Sequence, residues 1–163
     1  MMYITDNSRI LSREELSTPE EITNEIPLDK ESSKLIFGAR RSISQILHRQ
    51  DDRLIVVVGP CSIHDPKAAL EYAKLLKDFS SSVENELMLV MRVYFEKPRT
   101  TIGWKGLIND PRLDNSFKIN EGLRISRKLL KDIADLGMPT GTEFLDLISP
   151  QYVSDLVCWG AIG

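Results

Sequence analysis

The chain has 163 residues, with 21 Lys+Arg against 24 Asp+Glu, a formal net charge of −3, 42% hydrophobic and 28% charged residues. That length suits one ordinary folded domain, and the acidic balance argues against nonspecific binding to nucleic acid or anionic membranes. There is no apolar run near the roughly 20 residues of a membrane span, the Met1–Asn7 start lacks the features of a secretory signal, and Cys61 and Cys158 make no disulfide framework, so a reduced, cytoplasmic chain is expected.

Residues 1–50 read as an N-terminal arm and helix. The first 30 residues are polar, punctuated by Thr18-Pro19-Glu20-Glu21 and Ile26-Pro27, and suggest an extended arm with one helical turn. Ser32 or Ser33 is expected to cap a helix carrying Leu35, Ile36, Ala39, Ile43, Ile46 and Leu47 on one face. Residues 51–163 alternate strand and helix patterns. Leu54–Val58 is a β-branched run closed by Gly59-Pro60, as expected of a strand buried on both faces. Asp65-Pro66 has the form of an N-cap followed by proline at the first helical position, ahead of Ala69, Tyr72, Ala73 and Leu76 at helical spacing. Leu87–Val93 is a second apolar run, and a polar segment follows through Pro111. Ile119, Leu123, Ser126, Leu130 and Ile133 mark a further helix, with Gly137 placed to stop it. Thr140–Phe144 is a third strand, Pro150–Val153 a short helix and Trp159–Ile162 a fourth strand. This order is α/β with parallel strands: either a small doubly wound domain or half of a (β/α)₈ barrel.

In such folds ligands collect beyond the C-terminal ends of the strands. Three segments fall there. Cys61, with His64 and Asp65 nearby, suits a metal ligand or nucleophile, or else a small buried residue at a turn. Between Arg92 and Lys105 stand four cations (Arg92, Lys97, Arg99, Lys105) and one anion, Glu96. This local +3 leaves −6 for the rest of the chain. A guanidinium inside an apolar strand is costly unless paired, and it grips carboxylates and phosphates bidentately. The loop is therefore read as an anion site rather than a solvated basic loop. The third segment, Thr142–Asp146, offers Glu143 and Asp146 to orient a cation, accept a proton or neutralise the basic loop. His48 reads as solvated and Cys158 as core.

The runs Val58–Asp65, Met91–Thr101, Gly103–Pro111 and Trp159–Gly163 strongly resemble class I 3-deoxy-D-arabino-heptulosonate 7-phosphate (DAHP) synthases. The likeness covers residues 35–163 closely and the arm loosely. It implies a (β/α)₈ TIM barrel with an N-terminal extension, of which this chain holds about the first four strands. It also implies the first step of aromatic amino acid biosynthesis, the condensation of phosphoenolpyruvate with erythrose 4-phosphate. By resemblance, Cys61 is one ligand of a divalent metal ion (manganese, iron, cobalt or similar), and Arg92 and Lys97 contact phosphoenolpyruvate. Lys97, Pro98, Arg99 and Thr100 would line the erythrose 4-phosphate site, with Lys97 and Glu143 as the catalytic residues. Asp6, Asn7, Ile10, Asp146, Pro150 and Gln151 would bind an aromatic amino acid as feedback inhibitor, in a homo-oligomer. The remaining metal ligands of the family lie in the second half of its barrel, so the 163 residues are expected to be an N-terminal part without synthase activity alone. The alternatives are a noncatalytic module that pairs with an intact synthase and a small domain that binds a phosphorylated metabolite.

Overall fold

The computed structural model describes residues 5–10, 12–99 and 101–163. Two helices precede the sheet. The first, α1 (Pro19–Glu25), is longer than the single turn expected, because Thr18 and Glu21 form a reciprocal capping box. The Glu21 N–H donates to the Thr18 hydroxyl at 3.2 Å, and the Thr18 N–H donates to the Glu21 carboxylate at 2.7 Å. The second, α2 (Lys30–Leu47), is capped by Asp29 rather than by Ser32 or Ser33. Asp29 accepts the Ser32 N–H at 2.8 Å, while the buried Ser32 hydroxyl is taken by Asp135 at 2.6 Å. Ile36, Ala39 and Ile43 form the buried face of α2, and Leu47 is exposed.

Four strands follow, β1 (Leu54–Val58), β2 (Leu87–Arg92), β3 (Thr140–Phe144) and β4 (Trp159–Ile162). They are joined through α3 (Pro66–Ser80), α4 (Ile119–Asp135) and α5 (Pro150–Val153), the last running into a 3₁₀ turn at Ser154–Leu156. Asp65 caps α3 through the Lys67 and Ala68 N–H groups, with Pro66 in the first turn. Gly137, at φ +78°, ends α4, where a side chain would be strained.

The pairings among these four strands are parallel and the strand order is β1-β2-β3-β4. A doubly wound sheet reverses direction after its first strands, whereas a barrel adds each strand to the same side. The sequential order therefore selects the barrel alternative: the sheet is a curled, four-stranded half-barrel. β1 is not buried on both faces, because it forms one edge, with Leu54 67% and Val57 38% exposed. At the other edge Ile162 is 92% exposed.

Register sets the faces. Met91 pairs with Thr140, and both are buried beneath the helices. Arg92 pairs with Gly141, so Arg92 and Glu143 share the opposite, inner face. Across the N-terminal ends of the strands lies α2, whose Arg40 donates to the Val157 and Ser154 carbonyls. Beside α5, the wholly buried Arg127 holds Asp155 bidentately at 2.7 and 2.9 Å. Arg127 also donates to the Ile26 and Tyr152 carbonyls, each at 2.8 Å. Among the described residues, no helix is long and apolar enough to cross a membrane.

Candidate functional site

The site forms at the C-terminal ends of β1, β2 and β3. After β1 the chain turns through Gly59, where a Cβ would stand 2.8 Å from the Arg92 carbonyl oxygen. The Ile63 N–H then donates to the Tyr94 carbonyl at 2.8 Å, which ties this loop to the one after β2. Cys61 sits between these anchors and is exposed, contrary to the buried alternative for this thiol.

Arg92, the last residue of β2, donates from Nε to the Pro60 carbonyl at 2.8 Å, with its guanidinium 5.2 Å from the centre of the Tyr94 ring. Anchored through Nε and stacked on an aromatic face, a guanidinium presents its terminal nitrogens as a fork. Lys97 donates from Nζ to the Cys61 sulfur at 3.2 Å. That hydrogen bond, reinforced by the Lys97 charge, holds the Cys61 thiol below its ordinary pKa. Arg92 acts in the same direction and Glu143 in the opposite one, so Cys61, Arg92, Lys97 and Glu143 form one electrostatic cluster.

The loop after β2 is built to hold Lys97 in place. Glu96 pairs with Gly106 across its base, and Gly106 has φ +111°. A Cβ at Gly106 would lie 2.1 Å from the Phe95 carbonyl oxygen, so a side chain is excluded. The Lys97 N–H donates to the Lys105 carbonyl at 3.0 Å, and the Arg99 N–H closes back on the Lys97 carbonyl at 2.7 Å around Pro98. Lys105 Nζ reaches the Arg99 carbonyl at 2.8 Å. Pro98 and Arg99 are exposed, and Thr100 lies outside the described residues.

The residues expected to bind an effector fall into two groups. Asp6, Asn7 and Ile10 are exposed and bond locally: the Asn7 amide donates to Asp6 at 2.7 Å and the Ile10 N–H to the Asn7 carbonyl at 3.1 Å. Asn7 Oδ1 also accepts from Arg13 at 2.6 Å. Asp146 caps the turn after β3, Pro150 opens α5, and Gln151 donates to the Leu147 carbonyl at 3.2 Å.

Two residues beside the cluster carry no assigned role in the sequence reading. Tyr94 is the ring under Arg92, and Glu96 carries hydrogen bonds from Ser149 and Asn109. Glu96 had one signal, as the lone anion among four cations.

A divalent ion needs several donors in fixed geometry. Among the described residues no group of three or more His, Cys, Asp or Glu could hold one. Cys61 fits as a single thiolate donor, and the residues described do not complete a metal centre.

The chain matches the DAHP synthetase I family over residues 22–163. It is 56% identical, over its whole length, to the Phe-sensitive phospho-2-dehydro-3-deoxyheptonate aldolase of Escherichia coli K12, covering 47% of that protein. It is 52% identical over 158 residues to the Tyr-sensitive enzyme of the same organism, covering 97% of this chain and 44% of that one. The structure of the corresponding aldolase from Francisella tularensis SCHU S4 superposes with a TM-score of 0.92 at 54% identity, over 94% of this chain and 45% of that one. The chain thus spans about half the length of these relatives.

Proposed function

The chain belongs to the DAHP synthetase I family, and from that premise we propose that it serves the condensation of phosphoenolpyruvate with erythrose 4-phosphate and water to give DAHP and phosphate. The observation that carries this reading is the meeting of Arg92, Lys97, Cys61 and Glu143 at the strand ends, with Lys97 on the Cys61 sulfur at 3.2 Å.

Both substrates are anions that must approach each other. A loop of local charge +3 in a chain of −3 concentrates them and offsets their repulsion. Arg92, fixed on Pro60 and Tyr94, holds the carboxylate or phosphate of phosphoenolpyruvate as a fork. Lys97 stands between the two substrates, and Arg99 at the loop tip receives the phosphate of erythrose 4-phosphate. In the reaction the C2=C3 π electrons of phosphoenolpyruvate form the bond from C3 to the aldehyde carbon, whose C=O π pair moves onto its oxygen. Water adds at C2, phosphate leaves with the electrons of its C2–O bond, and the two protons of the water end on the new alkoxide and on the departing phosphate. To Glu143 we assign the first proton of that water.

The divalent metal implied by the family (manganese, iron or cobalt) would find one donor here, Cys61, and no step above is routed through it. Sensitivity to phenylalanine or tyrosine, as in the names of the relatives, is assigned to Asp6, Asn7 and Ile10 with Asp146, Pro150 and Gln151. The exposed arm suits completion of that site by a neighbouring copy in a homo-oligomer.

The test is to co-express the chain with the part of the E. coli Phe-sensitive relative that lies outside the alignment. Synthase turnover by the co-purified pair, lost in Arg92→Ala and Glu143→Gln, is the expected result. A stable pair with no turnover would overturn the reading.

A further inference from the structure

The Glu96 side chain leaves the basic loop and crosses to the turn that follows β3. Its Oε2 accepts the Ser149 hydroxyl at 3.0 Å and its Oε1 accepts the Asn109 amide at 3.3 Å. The same Ser149 donates its backbone N–H to Asp146 Oδ1 at 2.7 Å, beside the Ile148 N–H at 2.6 Å. Ser149 is thus bonded to both carboxyl groups, which brings the two acceptors side by side on one residue.

Two carboxylates at that range repel, whereas a single shared proton turns the contact into a hydrogen bond. The surroundings say which group holds the proton. Asp146 receives two backbone N–H donors and lies on the exposed turn, an environment that favours its charge. Glu96 is half-buried among neutral partners. Of the cations on its own loop, Arg92 is engaged on the Pro60 carbonyl, Lys97 on Cys61 and Lys105 on the Arg99 carbonyl, and Arg99 is exposed at the loop tip. From the turn after β3 the charged group facing it is Asp146, and from the 107–110 segment its partner is the neutral Asn109. Burial first, then Asp146, push the Glu96 carboxyl above its ordinary 4.5, while Asp146 is held below its ordinary 3.8.

We propose that Glu96 is a positioning residue whose protonated carboxyl donates to Asp146 and pins the loop carrying Lys97 and Arg99 against the turn after β3. Loss of that proton releases the loop. The backbone transmits the effect, because Glu96 pairs with Gly106 at the loop base and Lys97 is the next residue. That the loop handles substrate rests on the reading above; the proton-linked closure does not.

A carboxyl with a raised folded-state pKa contributes closure below its ordinary value and loses it as pH rises through the raised one. Asp146, with a lowered value, contributes above its ordinary value and loses it as pH falls. Closure is greatest in the interval between, where the pair holds one proton.

Amide hydrogen exchange of the 163-residue chain, corrected for intrinsic rates, tests this over about pH 4 to pH 8. The wild-type 95–106 peptide loses protection as pH rises, with a midpoint above 4.5. The loss is about tenfold for each unit by which that midpoint is raised. Glu96→Gln, whose amide is a permanent donor, stays protected throughout. Asp146→Asn keeps both backbone acceptor contacts and returns the midpoint toward the ordinary carboxylate range. Wild type and Glu96→Gln giving one and the same profile would overturn the proposal. So would Asp146→Asn leaving the wild-type midpoint unmoved. Phosphoenolpyruvate binding by the wild type at one fixed pH tests the synthase reading, and the exchange profile without ligand tests the closure.

Discussion

The Lys97 ammonium donates to the Cys61 sulfur at 3.2 Å, joining the loops that follow the first two strands. An ammonium on a thiol favours the thiolate, so Lys97 both tunes Cys61 and is itself held at the barrel mouth. Replacing Lys97 by Gln is expected to raise the Cys61 titration toward its ordinary value. Ultraviolet thiolate absorbance against pH reads this directly. Cys158 does not interfere, because burial pushes its thiol up. An unchanged titration in the variant would show that Lys97 does not set the thiol.

The chain alone is expected to release no phosphate from phosphoenolpyruvate and erythrose 4-phosphate, even with manganese, iron or cobalt added. Cys61 is one donor, and the described residues supply no group of three that could hold a metal. A coupled phosphate assay on the purified 163-residue protein checks this. Robust turnover would contradict it.

Acid sensitivity should centre on Asp29. It caps α2 and receives Lys131 Nζ at 2.5 Å, and these contacts, the Lys131 bond first, bring its pKa from 3.8 to about 2. A depressed carboxylate contributes stability above its ordinary value and loses it as pH falls toward the lowered one. Thermal melts of wild type and Asp29→Asn are expected to differ at neutral pH and converge as pH falls from 3.8 to about 2. A constant gap between the two would count against this.

Arg127 is the buried tie between Ile26, α4, α5 and the 3₁₀ turn. Arg127→Ala would strip the Asp155 carboxylate of its partner and leave the Ile26 and Tyr152 carbonyls without their donor, at about 1–3 kcal/mol for each buried acceptor left unpaired. Asp155→Asn should cost less, because the amide oxygen still accepts from Arg127 and the guanidinium keeps the Ile26 and Tyr152 carbonyls. Denaturant titration of the two variants measures the order; equal losses would refute it.

The legible parts of this fold are the local ones. Leu54–Val58, Asp65-Pro66, Thr140–Phe144 and Trp159–Ile162 announce themselves through β-branched runs, cap chemistry and turn residues a few positions apart. Strand order does not, since the choice between a doubly wound sheet and a barrel rests on pairings such as Met91 with Thr140. The α2 cap was misplaced for a similar reason: Asp29, Ser32 and Ser33 all suit an N-cap, and Asp135 on α4 takes the Ser32 hydroxyl. At the site, Arg92, Lys97 and Cys61 stood out by residue type. Glu96 did not, because its partner Ser149 is 53 residues away.

The central claim is that the strand ends hold an anion site anchored by Arg92. Calorimetric titration of the 163-residue chain with phosphoenolpyruvate, beside Arg92→Ala, tests it most directly. A charge-assisted hydrogen bond is worth about 1.5–3 kcal/mol, so the variant should bind roughly ten- to a hundredfold more weakly. Saturable heat in the wild type with that loss in the variant is the predicted result, and equal heats from both proteins would contradict the account.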